Sequence, residues 1–106
     1  QDLPLSMNPY LPCSVPNFWL SCILLAQGCK VKPLAIMEEL NKRSIESRPI
    51  WKPMHLQPVF SGHDFVSVEG DVGGDVFARG LCLPSDIKMT EEEQNMVIEI
   101  IRGALE

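Results

Sequence analysis

Hydrophobic positions recur along this chain in two periods, and the breaks between them fall at proline and glycine. Phe18 to Ala26 is a short apolar run, aromatic at its start and branched in its middle, that stops at Gln27-Gly28; it predicts a buried strand. Pro33 then occupies a first helical position and Leu34, Ile36, Met37 and Leu40 share one face, so residues 33–44 are predicted helical. Glu38 with Lys42 and Glu39 with Arg43 set opposite charges four apart on the wet side, each pair contributing about 0.2–0.5 kcal/mol. Ile45 to Ile50 resumes as a strand, and Phe65 to Glu69 alternates apolar and polar residues like another short strand or extended piece. Residues 74–79 predict a short helix ended by Gly80, and Leu81-Cys82-Leu83 a brief strand cut off by Pro84. The last helix carries the clearest signal. Thr90 and Glu93 form a capping box, Glu91, Glu92 and Glu93 fill the electropositive first turn, and Val97, Ile98, Ile101 and Leu105 return at helical spacing.

That order of elements predicts an α+β fold: a small two-layer domain, a mostly antiparallel sheet with helices on one face. The 106 residues fit one domain, which at this size buries about two thirds of the surface exposed by the unfolded chain. Residues 1–16 carry four prolines and no periodic pattern, and are expected to form a linker or partly disordered segment ahead of a domain at 17–106. A first residue of Gln1 suits a processed protein or a piece of a longer one, and the linker-like opening favours the second.

Charge narrows the function classes. A net charge of −5 and a pI near 4.9 argue against sequence-independent binding of nucleic acid, which needs clustered cations. The longest apolar run is less than half of the roughly 20 residues that span a bilayer, so no membrane is expected and the location is expected to be cytoplasmic. Cys13, Cys22, Cys29 and Cys82 lack the close paired spacing of zinc or redox motifs and read as ordinary thiols.

Candidate chemistry gathers in one segment. Pro49, Pro53 and Pro58 stiffen residues 46–60 into a shaped loop that neither a long helix nor a central strand can cross. Arg48, Trp51, Lys52 and His55 are the polar and aromatic groups it displays. The plainer alternative packs Trp51 into the core, pairs Arg48 with a local carboxylate and leaves Lys52 in water. Gly70, Gly73 and Gly74 match no phosphate-cradling pattern and read as turn glycines. His63 and Asp64 with His55 match no metal-ligand spacing, so no metal is expected. Cys82, between two leucines, is expected to be buried and inert, and Ser85 to cap the turn after Pro84.

The order of residues carries more than its composition. Ser47 to Phe60 reads SRPIWKPMHLQPVF and Phe77 to Ser85 reads FARGLCLPS. Over residues 17–106 the chain resembles the C-terminal region of DegT/DnrJ/StrS-type sugar aminotransferases, which are pyridoxal-phosphate enzymes. The resemblance implies the small domain of a fold-type-I aminotransferase, with the large cofactor-binding domain outside these residues. It implies a nucleotide-linked keto sugar as substrate, glutamate as probable amino donor, a homodimeric parent, and amino-sugar synthesis for surface polysaccharide or protein glycosylation. It brings His55 to the active site, with Arg48, Trp51 and Lys52 as further substrate-binding groups. Lys30, Lys32, Lys42, Lys52 and Lys88 match no Schiff-base motif of the family, so no catalytic or cofactor-binding residue is expected here and the segment alone is expected to be inactive. Lys32 ahead of Pro33 and Asp86 after Ser85 depart from the family pattern. The rival from another class is a self-sufficient, non-catalytic interaction or ligand-binding domain.

Overall fold

In the computed structural model, which describes residues 3–106, the chain forms strands β1 (Leu5–Met7), β2 (Cys22–Leu25), β3 (Arg48–Pro49) and β4 (Gly80–Cys82). The α-helices are α1 (Pro33–Asn41), α2 (Val72–Arg79) and α3 (Glu91–Leu105). The sheet has the order β1-β2-β4-β3 and every neighbouring pair is antiparallel. Alternation along β2 sends Ile23 and Leu25 to one face, where Leu81 of β4 lies opposite Ile23. Ile36 and Leu40 of α1 and Val97 and Ile101 of α3 close over them to make the core, each fully buried aliphatic side chain contributing about 1.5–3 kcal/mol. The result is a two-layer α+β domain.

Where elements differ from the sequence reading, local hydrogen bonds give the reason. The run from Phe18 contributes a strand only at Cys22–Leu25, because Asn17 Oδ1 accepts from the Trp19 N–H at 3.1 Å and Phe18 sits at φ 51°, a left-handed turn no strand passes through. Helix α1 stops at Asn41 rather than 44. Ser44 is left-handed at φ 58°, its N–H bonds Asn41 O, and the Ile45 N–H reaches back to Leu40 O at 3.0 Å. These bonds make a Schellman closure, with Ile45 packed on the core beside Leu40. On its exposed side Lys42 pairs with Glu39 at 2.7 Å rather than with Glu38.

Of the expected linker at residues 1–16, of which residues 1 and 2 lie outside the described residues, one stretch is corrected. Leu5–Met7 is a strand on the edge of the sheet; the flanking Pro4 and Pro9 hid it, yet Pro4 O accepts from the Ala26 N–H at 2.7 Å. Asn8 continues the tie, its N–H donating to Cys22 O and its Oδ1 accepting from the Cys22 N–H. Residues 65–69 form no strand. Their backbone finds no ladder partner, and Phe65 packs on a histidine instead.

Of the strand expected at Ile45–Ile50 only Arg48–Pro49 pairs, on an edge where the missing proline N–H costs nothing. The loop beyond it tightens into two single 3₁₀ turns, Met54–Leu56 and Pro58–Phe60. Helix α2 begins two residues earlier than expected, since Asp71 caps it. It runs directly into β4 at Gly80, where a Cβ would collide with Ile50 and with Val76 O, so only glycine allows that join. The capping box of α3 forms as the sequence spells it, with the Glu93 N–H donating to Thr90 Oγ1 and the Thr90 N–H to Glu93 Oε2.

Candidate functional site

Beyond the β3 edge the two-layer body leaves an open groove of about 1330 Å³. It is bordered by the loop after β3, the segment after β4 and the first half of α3. Arg48, Trp51 and Lys52 all line it, with Trp19 from the turn before β2. Trp51 is not in the core: it is 65 % exposed and leans against Trp19 with ring centroids 6.4 Å apart. Two indoles with one side open make an apolar wall that a flat ring can lie against. Lys52 is exposed. Arg48 gives both Nε and Nη2 to Glu46 Oε1, at 2.8 and 2.6 Å, so an arriving anion must share or displace that carboxylate. Four cations and three carboxylates line the groove, a surplus of one positive charge in a chain whose net charge is −5.

His55 lies outside that groove. Its ring is half-buried, with 19 % of the side chain exposed, and Nε2 is 2.7 Å from Asp71 Oδ2. Phe65 stacks on the ring, centroids 3.8 Å apart and planes 13° from parallel. The other Asp71 oxygen accepts from the Gly74 N–H at 2.8 Å. The Gly74 N–H first, and His55 second, hold the Asp71 carboxyl below its usual value. The loop's candidate residues thus divide between a groove and a braced imidazole.

Neither Asp71 nor Phe65 stood out in the sequence, because both come from beyond the proline-rich window. The available signal was Asp71 itself, an acidic residue one position ahead of a helix that starts at Val72. The pairing of Cys22 and Cys82 was likewise invisible in their spacing, yet they face each other across β2 and β4 with sulfurs 3.5 Å apart. Burial first, and the Cys22 thiol second, push Cys82 up to about 11. Ser85 does more than cap a turn: its hydroxyl accepts from the Ser21 N–H at 2.8 Å and donates to Leu83 O at 2.9 Å, tying the two central strands at one end. Arg79, paired with Asp75, donates to Leu25 O and ties them at the other. Among the described residues no three His, Cys, Asp or Glu side chains gather as metal ligands, and no helix is long and apolar enough to cross a membrane.

Comparison with known proteins supplies what geometry alone does not. The profile described as the DegT/DnrJ/EryC1/StrS aminotransferase family matches residues 2–102. A Bacillus subtilis protein named as a pyridoxal phosphate-dependent aminotransferase, EpsN, is 44 % identical over 88 % of this chain and 24 % of its own length. GDP-perosamine synthase of Caulobacter vibrioides is 30 % identical over 83 % of this chain and 23 % of its own. Among solved structures, a DegT DnrJ EryC1 StrS aminotransferase from Brucella abortus superposes with a TM-score of 0.65 at 26 % identity, over 81 % of this chain and 22 % of that one. The aminotransferase TlmJ from Streptoalloteichus hindustanus gives 0.67 over 96 % of this chain and 26 % of its own, at 20 % identity, a likeness of fold alone. The chain spans about a quarter of the length of the curated relatives it matches.

Proposed function

From the premise that the chain belongs to the DegT/DnrJ/EryC1/StrS aminotransferase family, we propose that it serves as the C-terminal small domain of a pyridoxal-phosphate-dependent enzyme. That enzyme turns the keto group of a nucleotide-linked sugar into an amine, with glutamate as donor. The observation that carries this is the convergence of Arg48, Trp51 and Lys52 on one groove. A nucleotide sugar presents a diphosphate and a flat base; Lys52 and Arg48 answer the first and the paired indoles of Trp19 and Trp51 the second. His55 takes a polar group of the sugar. The names of the relatives support the substrate and cofactor classes. The product would be an amino sugar for polysaccharide or glycoprotein, made in the cytoplasm by a homodimer.

Pyridoxal phosphate supplies the electron sink for amino transfer once a lysine holds it as an imine. The residues present do not fit that group. A lysine that forms such an imine is desolvated so that its amine is neutral and nucleophilic, whereas Lys30, Lys32, Lys42, Lys52 and Lys88 are all exposed. The cofactor therefore belongs to residues outside this chain.

The test is the full-length gene product, purified and scanned for the absorbance band of bound cofactor. The band is expected to shift on adding glutamate and to return on adding a nucleotide-linked keto sugar, with an amino sugar appearing by mass spectrometry. A colourless protein indifferent to both would leave a non-catalytic binding domain as the answer. In an active enzyme, His55→Ala is expected to raise KM for the sugar nucleotide by roughly 5- to 100-fold, the loss of one strong hydrogen bond, with cofactor binding unchanged.

A further inference from the structure

Resting on the reading that His55 meets the sugar, we propose that Asp71 is the positioning residue of that imidazole. In the neutral ring it holds the proton on Nε2, so that Nδ1 is the free nitrogen and accepts a hydrogen bond from a sugar hydroxyl. Three contacts fix the ring. The Asp71 carboxylate is acceptor-only when ionised, so a 2.7 Å contact to Nε2 requires the hydrogen to sit on that nitrogen. Phe65 covers one ring face and blocks the flip that would exchange the two nitrogens. The Gly74 N–H anchors the other carboxylate oxygen, so the acceptor cannot swing away. Nδ1 has no hydrogen-bond partner among the described residues.

Specificity follows from this geometry. A neutral imidazole whose one N–H is already given to Asp71 has only a lone pair to offer. A diphosphate has no hydrogen to donate to it at neutral pH, whereas a hydroxyl does. His55 is thereby a reader of the sugar, and the anion is left to the cations of the groove. The observed contact commits the Nε2 donor of His55 to Asp71.

The first arm of the test uses this chain as it stands. Nitrogen-15 NMR of its imidazoles, followed across pH so that the neutral ring is sampled, is expected to show that form of His55 protonated at Nε2 and bare at Nδ1. In Asp71→Ser, whose hydroxyl still caps α2 through the Gly74 N–H but is too short to reach the ring, the two tautomers are expected to mix while the amide signals of α2 persist. Asp71→Asn has one acceptor oxygen where the wild type uses two; with that oxygen on the Gly74 N–H its NH2 faces Nε2 and donates to it, so the proton is expected to move to Nδ1. A proton on Nδ1 of the neutral ring in the wild type, or an unaltered tautomer in Asp71→Ser, would overturn the proposal whatever the enzyme does. The second arm measures the full-length enzyme, where Asp71→Ser is expected to raise KM for the nucleotide sugar about 3- to 10-fold. Deoxygenating the contacted hydroxyl should erase the difference between variant and wild type. A difference that survives with every deoxy analogue would sink it, and absence of transamination would sink the functional premise while the first arm still stood.

Discussion

An aspartate that binds a helix N–H with one oxygen and an imidazole with the other titrates against both. Asp71 is held below its ordinary value of 3.8 by the Gly74 N–H and then by His55. The folded state binds this proton less readily than the unfolded chain, so Asp71 adds stability at all pH above the ordinary carboxylate range. That contribution disappears as pH falls from about 4 through the depressed folded value. Asp71→Asn is therefore expected to lose stability less steeply than wild type as pH falls below about 4, measured as the urea midpoint followed by circular dichroism. Asp75, also lowered through its bond to Arg79, titrates in both proteins and leaves the difference to Asp71; parallel curves would discount the bond. At this scale the sequence was legible where composition is dense: the proline-rich segment marked Arg48, Trp51, Lys52 and His55 as displayed groups. It was silent on Asp71 and Phe65, because what braces a side chain comes from wherever the fold brings it. Trp51 also defies its plainer reading, since Trp19 meets it at the surface rather than in the core.

Helix α2 is written against its own propensity, with Gly73 and Gly74 in its first turn. Exchanging a helical glycine for alanine ordinarily gains about 0.5–1 kcal/mol. A Cβ on Gly74 would collide with the Asp71 carboxylate, which is anchored at both oxygens and has no free direction to yield. Gly74→Ala is expected to show no gain in denaturation midpoint and to release His55 from its single tautomer in the same NMR measurement. A clear gain with the tautomer intact would show that the carboxylate adjusts at no cost. Ends of elements were readable wherever a cap is spelled in side chains, as at Thr90 and Glu93 of α3. They were misplaced where the backbone decides, as at the left-handed Ser44 that stops α1 and the left-handed Phe18 that delays β2. Residues 65–69 had the alternation of a strand, but alternation fixes only which side chains share a face; pairing needs a free edge, and β3 and β1 end the sheet elsewhere.

Across the whole molecule, the order β1-β2-β4-β3 joins residues far apart in the chain, information that no local window holds. The α+β class could be read from the succession of elements, and the core from its periodic positions, but the register could not. That register sets Cys22 opposite Cys82. The Leu83 N–H donates to Ser21 O at 2.8 Å, and both polar backbone groups of Cys22 turn toward Asn8. The cysteines therefore occupy a non-hydrogen-bonded position, the type that brings opposing side chains closest, with Cα atoms about 4.5 Å apart, inside the range a disulfide spans. Treatment of the reduced chain with hydrogen peroxide is expected to join them, two thiols and one peroxide giving one disulfide and two waters. Reaction is expected to be slow at neutral pH, since burial keeps Cys82 protonated up to about 11. Peptide mapping without reductant should find a Cys22–Cys82 link with the loss of two hydrogens. Because the bridge closes a loop across 60 positions of sequence, the oxidised chain gains up to about 4 kcal/mol against urea in the chain-entropy account. Mapping that found only oxidised Cys13 with these two thiols intact would mean that the two strands do not pair in this register.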